Sequence, residues 1–257
     1  MRPLMLRALL ITAMLVLGVP AAASPLNDGI GAFNKGDYPK AIRLLEPLAT
    51  KGVPEAQFAL GVIYREGKGV AKNVKLAARF FCSAAEKGMS DAEYNCGLVN
   101  ALGEGTARNF EEAAKWWKLA AARGDLRAQY NLGLLYQEGN GVDKDPNQAR
   151  RWFQKAAEKG IPQAQYNLAM MYYVGNGVAR DLNKAARWFR LAAEQGDVES
   201  QYSLGRMYMD GQGVERDYKE AEDLLRLAAS GGLDKAQQAL GKLLLMKGAG
   251  GNKLDPN

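Results

Sequence analysis

One segment of this chain recurs at a fixed interval of 36 residues on both sides of itself. Residues 125–160 read DLRAQYNLGLLYQEGNGVDKDPNQARRWFQKAAEKG, and related segments occupy residues 53–88, 89–124, 161–196 and 197–232. We number these segments repeats one to five in chain order, and no insertion separates them. A repeat of this length is typical of solenoids, in which each copy buries its apolar face against its neighbours.

The first half of each repeat carries apolar residues at helical spacing. In repeat three, Ala128, Leu132 and Leu135 fall at i, i+4 and i+7, which predicts an amphipathic helix, here called helix A. A G-x-G pair follows, and a glycine after the last helical turn can adopt the left-handed conformation that closes a helix. Gly133 recurs inside helix A of repeats one, two and five. Because an interior helical glycine costs about 1 kcal/mol, this recurrence indicates a tight helix crossing.

The second half of each repeat predicts another helix, here called helix B. It opens with an asparagine or aspartate that is expected to cap its N-terminus. These residues are Asn73, Asn109, Asp145, Asp181 and Asp217. In three repeats an acid or amide three residues later predicts a capping box: Glu112, Gln148 and Glu220. An apolar stripe of alanines and aromatics then begins at Ala149 of repeat three and at its equivalents.

The first 23 residues have the composition of a secretory signal peptide. Arg2 and Arg7 precede an apolar run over residues 8–19, and three alanines at 21–23 predict cleavage before Ser24. The alternative is a transmembrane anchor, but roughly 12 apolar residues are fewer than a bilayer crossing requires. We therefore expect a periplasmic or secreted protein with no stable membrane anchor after cleavage.

Charge and histidine content restrict the function classes. The formal net charge is +6, falling to +4 when Arg2 and Arg7 are removed, and basic residues alternate with acids along the chain. This mild excess indicates a solvated surface and no nucleic-acid partner. The chain contains no histidine, which removes the commonest general base and metal ligand.

The combined pattern resembles the Sel-1-like repeat, a longer relative of the tetratricopeptide repeat. The shared features are A-x-Y-x-L-G-x-x-Y, then G-x-G-V, then a helix with A-x-x-W and a closing A-A-x-x-G, across residues 53–232. Single repeats depart from this pattern at Asn100, Leu102, Thr106 and Leu224. The resemblance implies an all-α fold, a right-handed α-solenoid of antiparallel helix pairs. Residues 24–52 predict an N-terminal capping hairpin, and residues 233–257 predict a C-terminal capping helix with a loose tail.

The only cysteines, Cys82 and Cys96, lie late on helix B of repeat one and on helix A of repeat two. Counting from the Gly88 turn places them nearly opposite each other in an antiparallel pair. In an oxidising compartment this predicts a disulfide. The alternative is two buried free thiols, with Cys96 at a position that is leucine in other repeats.

The motifs of common enzyme classes are missing from the sequence after residue 23. Some cysteine-rich secreted members of the resembling family bind penicillin-like ligands or hydrolyse β-lactams, but no serine here is followed three positions later by lysine. Phosphate-loop and zinc motifs are also missing. Asp143 and Asp145 could suggest a calcium site, but Asp145 already has a role as the N-cap of helix B, which argues against calcium. We expect no catalytic residue, no cofactor and no metal.

A binding surface is the remaining functional prediction. If the repeats stack as tetratricopeptide repeats do, helix A lines a concave groove, with the sixth, tenth and thirteenth positions of each repeat exposed. The predicted partner-binding residues are Phe58, Tyr94, Tyr130, Tyr166 and Tyr202 at the sixth position, Leu98, Leu134 and Met170 at the tenth, and Tyr173 and Met209 at the thirteenth. Tyrosine and methionine are well suited to contact peptides. The alternative is that these tyrosines pack only on their neighbours.

We therefore expect an exported scaffold or adaptor that binds a protein or peptide in this groove. The resemblance implies a role in an envelope or signalling process, and the oligomeric state is left open. The alternative functions are a β-lactam-interacting hydrolase and a peptidoglycan- or polysaccharide-binding envelope protein. The latter would use a basic row on helix B: Arg79, Lys115, Lys118, Arg151, Arg187, Arg190 and Arg226.

Overall fold

The computed structural model describes residues 24–250, which form thirteen α-helices and no strand; the predicted signal peptide lies outside these residues. The helices are α1 (Pro25–Asn34), α2 (Tyr38–Thr50), α3 (Pro54–Glu66), α4 (Val74–Ala85), α5 (Ser90–Leu102), α6 (Phe110–Ala122), α7 (Leu126–Glu138), α8 (Pro146–Glu158), α9 (Pro162–Val174), α10 (Leu182–Glu194), α11 (Val198–Asp210), α12 (Tyr218–Ser230) and α13 (Asp234–Gly250). Odd-numbered helices from α3 onward are helix A, and even-numbered ones are helix B. Among residues 24–250, no helix combines the length and apolar character needed to cross a membrane.

The chain divides into two compact units, Met1–Lys144 and Asp145–Asn257. In the first, each helix from α1 to α7 packs on the next, around a core that includes Leu45, Leu60 and Phe81. In the second, α8 to α13 follow the same rule, with Phe189 and Leu225 among their buried residues. This packing of consecutive helix pairs confirms the predicted all-α solenoid fold.

Helix ends follow the predicted chemistry, except for the capping boxes of two repeats. Each full-length helix A ends at a left-handed glycine; in repeat one, Gly67 has a φ of 70° and its amide donates to the carbonyl of Ile63. The predicted N-cap side chains all accept from an amide in the first turn of helix B. The predicted capping boxes of repeats two and five are wrong, and in repeat five the Asp217 amide donates to the Tyr208 carbonyl (3.1 Å). The Asn109 amide already donates to the Asn100 carbonyl (2.8 Å), and the Glu112 carboxylate accepts from Lys115 instead.

The second glycine of each G-x-G loop has a role that the sequence pattern did not reveal. It lies against the first residue of helix B of the preceding repeat. The pairs are Gly105 with Val74, Gly141 with Phe110, Gly177 with Pro146 and Gly213 with Leu182. These glycines also have positive φ values, between 66° and 76°. The loop of one repeat therefore rests on the helix B start of the repeat before it.

The interior glycine of helix A is covered by a bulky side chain of helix B. A Cβ on Gly97 would lie 2.5 Å from the Trp117 ring, and one on Gly61 would lie 2.7 Å from the Phe81 ring. Both rings are buried. The predicted tight crossing is confirmed in these two repeats, because no larger residue fits beneath the ring.

A buried glutamine at the fifth position of the repeat ties helix A to the helix before it in repeats one, three, four and five. The side-chain amide of Gln57 donates to the carbonyl of Ala49 (3.1 Å), and Gln201 donates equivalently to Ala193 (3.2 Å). Repeat two carries Glu93 at this position, and only 1% of this residue is exposed. One carboxylate oxygen of Glu93 accepts from Arg123 (3.2 Å), while the other is buried without a hydrogen bond.

Replacing Glu93 with glutamine is therefore expected to stabilise the protein. The amide restores the donor used in the other repeats and removes a buried carboxylate, a gain of about 1 kcal/mol. The ion pair between Glu93 and Arg123, which this change removes, contributes less to stability than this gain, because half of the Arg123 side chain is exposed. Thermal unfolding followed by circular dichroism should show a Tm about 2–4 °C higher. The control Gln129→Glu should lower Tm, and a lower Tm for Glu93→Gln would contradict this explanation.

Candidate functional site

In repeats one, two and four the sixth-position ring packs on the helix B aromatic of its own repeat. Ring centroids lie 5.7 Å apart for Phe58 and Phe81, 6.5 Å for Tyr94 and Trp117, and 5.8 Å for Tyr166 and Phe189. The reason is helical geometry. The sixth and ninth positions lie on one face of helix A, so an aromatic over the ninth position also touches the sixth.

This packing corrects the expectation that the sixth and tenth positions are exposed throughout. Tyr94 exposes 4% and Tyr130 5% of its surface, and Leu98 exposes 6%. Met209, at the thirteenth position, exposes 3%. In the first compact unit the helix A face is thus largely closed by the protein's own side chains. Tyr94 instead fits the alternative prediction from the sequence, that these tyrosines pack only on neighbouring residues of the protein.

A cation from the following repeat covers two of the rings. The Arg127 guanidinium lies 4.2 Å from the centroid of the Tyr94 ring and pairs with Asp91 (2.6 Å). In the second compact unit, the Lys235 ammonium lies 4.7 Å from the Tyr202 ring centroid and pairs with Glu199 (2.5 Å). All four charged residues occupy the third position of their repeats. Sequence reasoning missed this position, although the two cases in which an acid is followed one repeat later by a base were visible in the sequence.

The predicted residues that keep exposed surface are concentrated in the second compact unit. Tyr166, Met170 and Tyr173 on α9 and Tyr202 on α11 are half-buried, as are Phe58 and Leu134 in the first unit. The Tyr173 hydroxyl donates to the Gln212 side chain (2.9 Å), just beyond α11. We call Tyr166, Met170, Tyr173, Tyr202 and Arg206 the α9–α11 surface.

The α9–α11 surface combines the neutral Tyr166 phenol with the Arg206 cation. Burial raises the pKa of Tyr166 to about 12, and the carboxylates of Glu199 and Asp197 contribute. Tyr166 therefore stays protonated at physiological pH and can donate a hydrogen bond. Arg206 donates to the Tyr202 hydroxyl (3.2 Å) and pairs with Asp210 (3.3 Å). The surface thus offers apolar area together with hydroxyl and guanidinium donors.

Cys82 and Cys96 form a disulfide, as the sequence predicts, with their Cα atoms 4.8 Å apart. The bond joins α4 of repeat one to α5 of repeat two. Cross-linking residues 14 positions apart stabilises a folded state by about 2–3 kcal/mol. Neither cysteine is therefore a free thiol, and we assign the pair a structural role.

The basic row of helix B is exposed, as predicted for the outer face. All seven residues lie at the surface, and some are already paired, such as Lys115 with Glu112 and Arg226 with Glu222. A shallow depression of about 360 Å³ is lined by Gln148, Arg151, Trp152, Gln154, Lys155 and Glu158 of α8. Because these side chains come from one helix, we interpret it as a gap between long side chains.

The described residues contain no cluster of three or more acidic or cysteine side chains that could hold a metal ion.

Comparison with known proteins identifies the repeat. The Sel1 repeat family model matches six segments, residues 13–53, 54–89, 90–125, 126–161, 162–197 and 198–233. Its first segment covers the hairpin α1–α2, and the others begin one residue after the repeats defined above. Among curated proteins, none matches the sequence significantly.

Solved structures include similar chains. A Sel1 repeat protein from Oxalobacter formigenes is 32% identical with a TM-score of 0.77, over 85% of this chain and 87% of that one. A protective antigen of uropathogenic Escherichia coli with an SLR fold is 33% identical with a TM-score of 0.82, over 90% of this chain. This chain spans 50% of that antigen. Pseudomonas aeruginosa pilF, 20% identical with a TM-score of 0.51 over 90% of this chain and 92% of its own, shares the fold alone.

Proposed function

This chain belongs to the Sel1 repeat family, and from that membership we propose that it is an exported scaffold which binds a protein or peptide and performs no chemistry of its own. Sel1 repeat proteins are generally protein-interaction scaffolds. The lack of a chemical activity is supported by the sequence after residue 23, which offers no histidine and no Ser-x-x-Lys nucleophile.

We place the partner on the α9–α11 surface. The observation that carries this proposal is the set of half-buried side chains that keep part of their surface accessible on neighbouring A helices: Tyr166, Met170, Tyr173 and Tyr202. Tyrosines bury large area at a low entropic cost, and methionine adapts its shape to a partner. The equivalent face of the first unit is less suitable, because Tyr94, Tyr130 and Leu98 are buried there.

Export is the second part of the proposal, and the disulfide supports it. Disulfides persist in oxidising compartments such as the periplasm and are rare in the cytosol. The bond between Cys82 and Cys96 therefore agrees with the signal peptide predicted from residues 1–23. We propose that the protein serves as an adaptor in an envelope or signalling process.

Site-specific photo-crosslinking in cells tests the location of the partner. A photoreactive residue at Met170 or at Tyr202 should yield the same crosslinked protein. A photoreactive residue at Arg187, which is exposed on the outer helix α10, should not. Equal crosslinking from Arg187 would place the partner elsewhere and overturn the assignment.

A competition experiment with purified protein measures the contribution of one side chain. Excess protein without the photoreactive residue should compete for the partner and suppress the crosslink. The Met170→Lys variant should reach the same suppression only at about tenfold higher concentration, because it lacks an apolar anchor. Its Tm should stay within a few degrees, since lysine is also a good helix former and can extend its ammonium into water. The control Arg187→Ala should compete like the unaltered protein. Equal competition by Met170→Lys would contradict the proposed contact.

A further inference from the structure

The last helix, α13, presents the face that helix B covers in the preceding repeats. Leu240 occupies the eighth position of its repeat, where Leu60 and Leu204 are completely or almost completely buried. Leu240 itself is only half-buried. Leu244, at the twelfth position, exposes 42% of its surface, and the adjacent Leu245 and Met246 expose 76% and 40%. A row of apolar residues on α13 is thus open to solvent.

Gly241 is the feature that gives this face its specificity. It is the ninth-position glycine, equivalent to Gly61, Gly97 and Gly205. A Cβ on those three would lie 2.7, 2.5 and 3.1 Å from Phe81, Trp117 and Leu225 of helix B. At Gly241 no described atom lies within 4 Å of that point. The notch that receives a bulky helix B side chain elsewhere is therefore unfilled here. We call Leu240, Gly241 and Leu244 the terminal groove.

We propose that the terminal groove binds an amphipathic helix of a partner protein, in the way that helix A binds helix B inside repeats one and two. The partner would place an aromatic side chain over Gly241, as Phe81 and Trp117 lie over Gly61 and Gly97. It would carry alanines four residues before and three residues after that side chain, so that the helices can approach closely. Ala185, Phe189 and Ala192 of α10 show this pattern, and all three are buried.

A second copy of this chain fits the groove poorly. The α13 sequence DKAQQALGKLLLMKGAG contains no aromatic residue, so a second α13 cannot supply the ring. The helix B side chains that would fit, such as Phe81, Trp117 and Phe189, are each at most 1% exposed. The groove thus matches the chemistry of a helix B but not a surface that this chain leaves free. This inference concerns a surface outside the α9–α11 surface and does not rest on the function proposed for it.

The test uses a labelled peptide of residues 181–196, DLNKAARWFRLAAEQG, as a helix B probe. Fluorescence anisotropy should show saturable binding to the purified chain. The same peptide carrying Phe189→Ala should bind at least about tenfold more weakly, because truncating a central aromatic anchor removes most of the contact.

The matched protein variant is Gly241→Leu, which fills the notch. Gly241 has open space around its Cβ position, and leucine is a better helix former than glycine. We therefore expect an unchanged or higher Tm together with at least about tenfold weaker peptide binding. No binding of the peptide, or equal binding by Gly241→Leu, would overturn the proposal.

Analytical ultracentrifugation tests whether a second copy of this chain occupies the terminal groove instead of a partner helix. The proposal expects the purified chain and the Gly241→Leu variant to have the same oligomeric state in solution. If the purified chain is a dimer and Gly241→Leu is a monomer, the groove is covered by a second copy, and the partner-helix proposal is wrong. Crosslinking from Met170 should be the same in both proteins, so failure here leaves the α9–α11 proposal unaffected.

Discussion

Replacing Gly105 with alanine is expected to lower the stability of the fold by about 4 kcal/mol. Gly105 has a φ of 76°, a left-handed conformation that is unfavourable for alanine. Its new Cβ would also lie 2.2 Å from the carbonyl oxygen of Val74. Because that oxygen belongs to the start of α4, relief requires moving a helix. Thermal unfolding should show a Tm on the order of 10 °C lower.

The matched control is Gly124→Ala. Gly124 also has a positive φ, 93°, but no described atom lies within 4 Å of its Cβ position. This variant should lose only the conformational part, about 1–2 kcal/mol. Similar Tm values for the two variants would show that the contact between loop and preceding helix contributes little.

Trp117→Ala is expected to destabilise the protein by about 3–5 kcal/mol, because it opens a large cavity in the core. Trp117 is 1% exposed, lies over Gly97, and donates from its indole nitrogen to the Tyr94 carbonyl (3.1 Å). In denaturant unfolding, the denaturant concentration at the midpoint should fall in proportion to this loss of free energy.

Trp117→Phe is the informative control. Phenylalanine occupies the same position in repeats one and four, at Phe81 and Phe189, and both are buried. The change removes the indole hydrogen bond and some volume, at about 1 kcal/mol. Trp116→Ala should also be mild, since Trp116 is half-buried. If all three variants had equal effects, the ring over Gly97 would not be the main contact between α5 and α6.

The helices and their caps were predictable because local residues determine them. Helix spacing, the asparagine and aspartate N-caps and the closing glycines such as Gly67 all act within a few residues. The disulfide between Cys82 and Cys96 was predictable for the same reason, since both lie close to one turn. The capping boxes of repeats two and five failed because the Asn109 and Asp217 amides bond to the carbonyls of Asn100 and Tyr208, contacts across the loop that no local motif encodes.

The candidate site was less predictable because its exposure depends on contacts between repeats. The pattern Gly97 with Trp117 implied a tight crossing, and the same ring also covers Tyr94, one helical turn away. The burial of Tyr94 under Trp117 was therefore predictable from helical spacing. The contact of Arg127 with the other face of Tyr94 was not predictable, because it depends on how closely one repeat stacks on the next.

The third-position charges make neighbouring repeats unequal despite their shared sequence. Asp91 faces Arg127, and Glu199 faces Lys235, each one repeat apart. A second copy of repeat two inserted after the first would set one aspartate beside another at this position, and only the later aspartate would keep Arg127 as its partner. A lengthened version of this protein therefore keeps this ion pair at a junction only where an acid is followed by a base one repeat later.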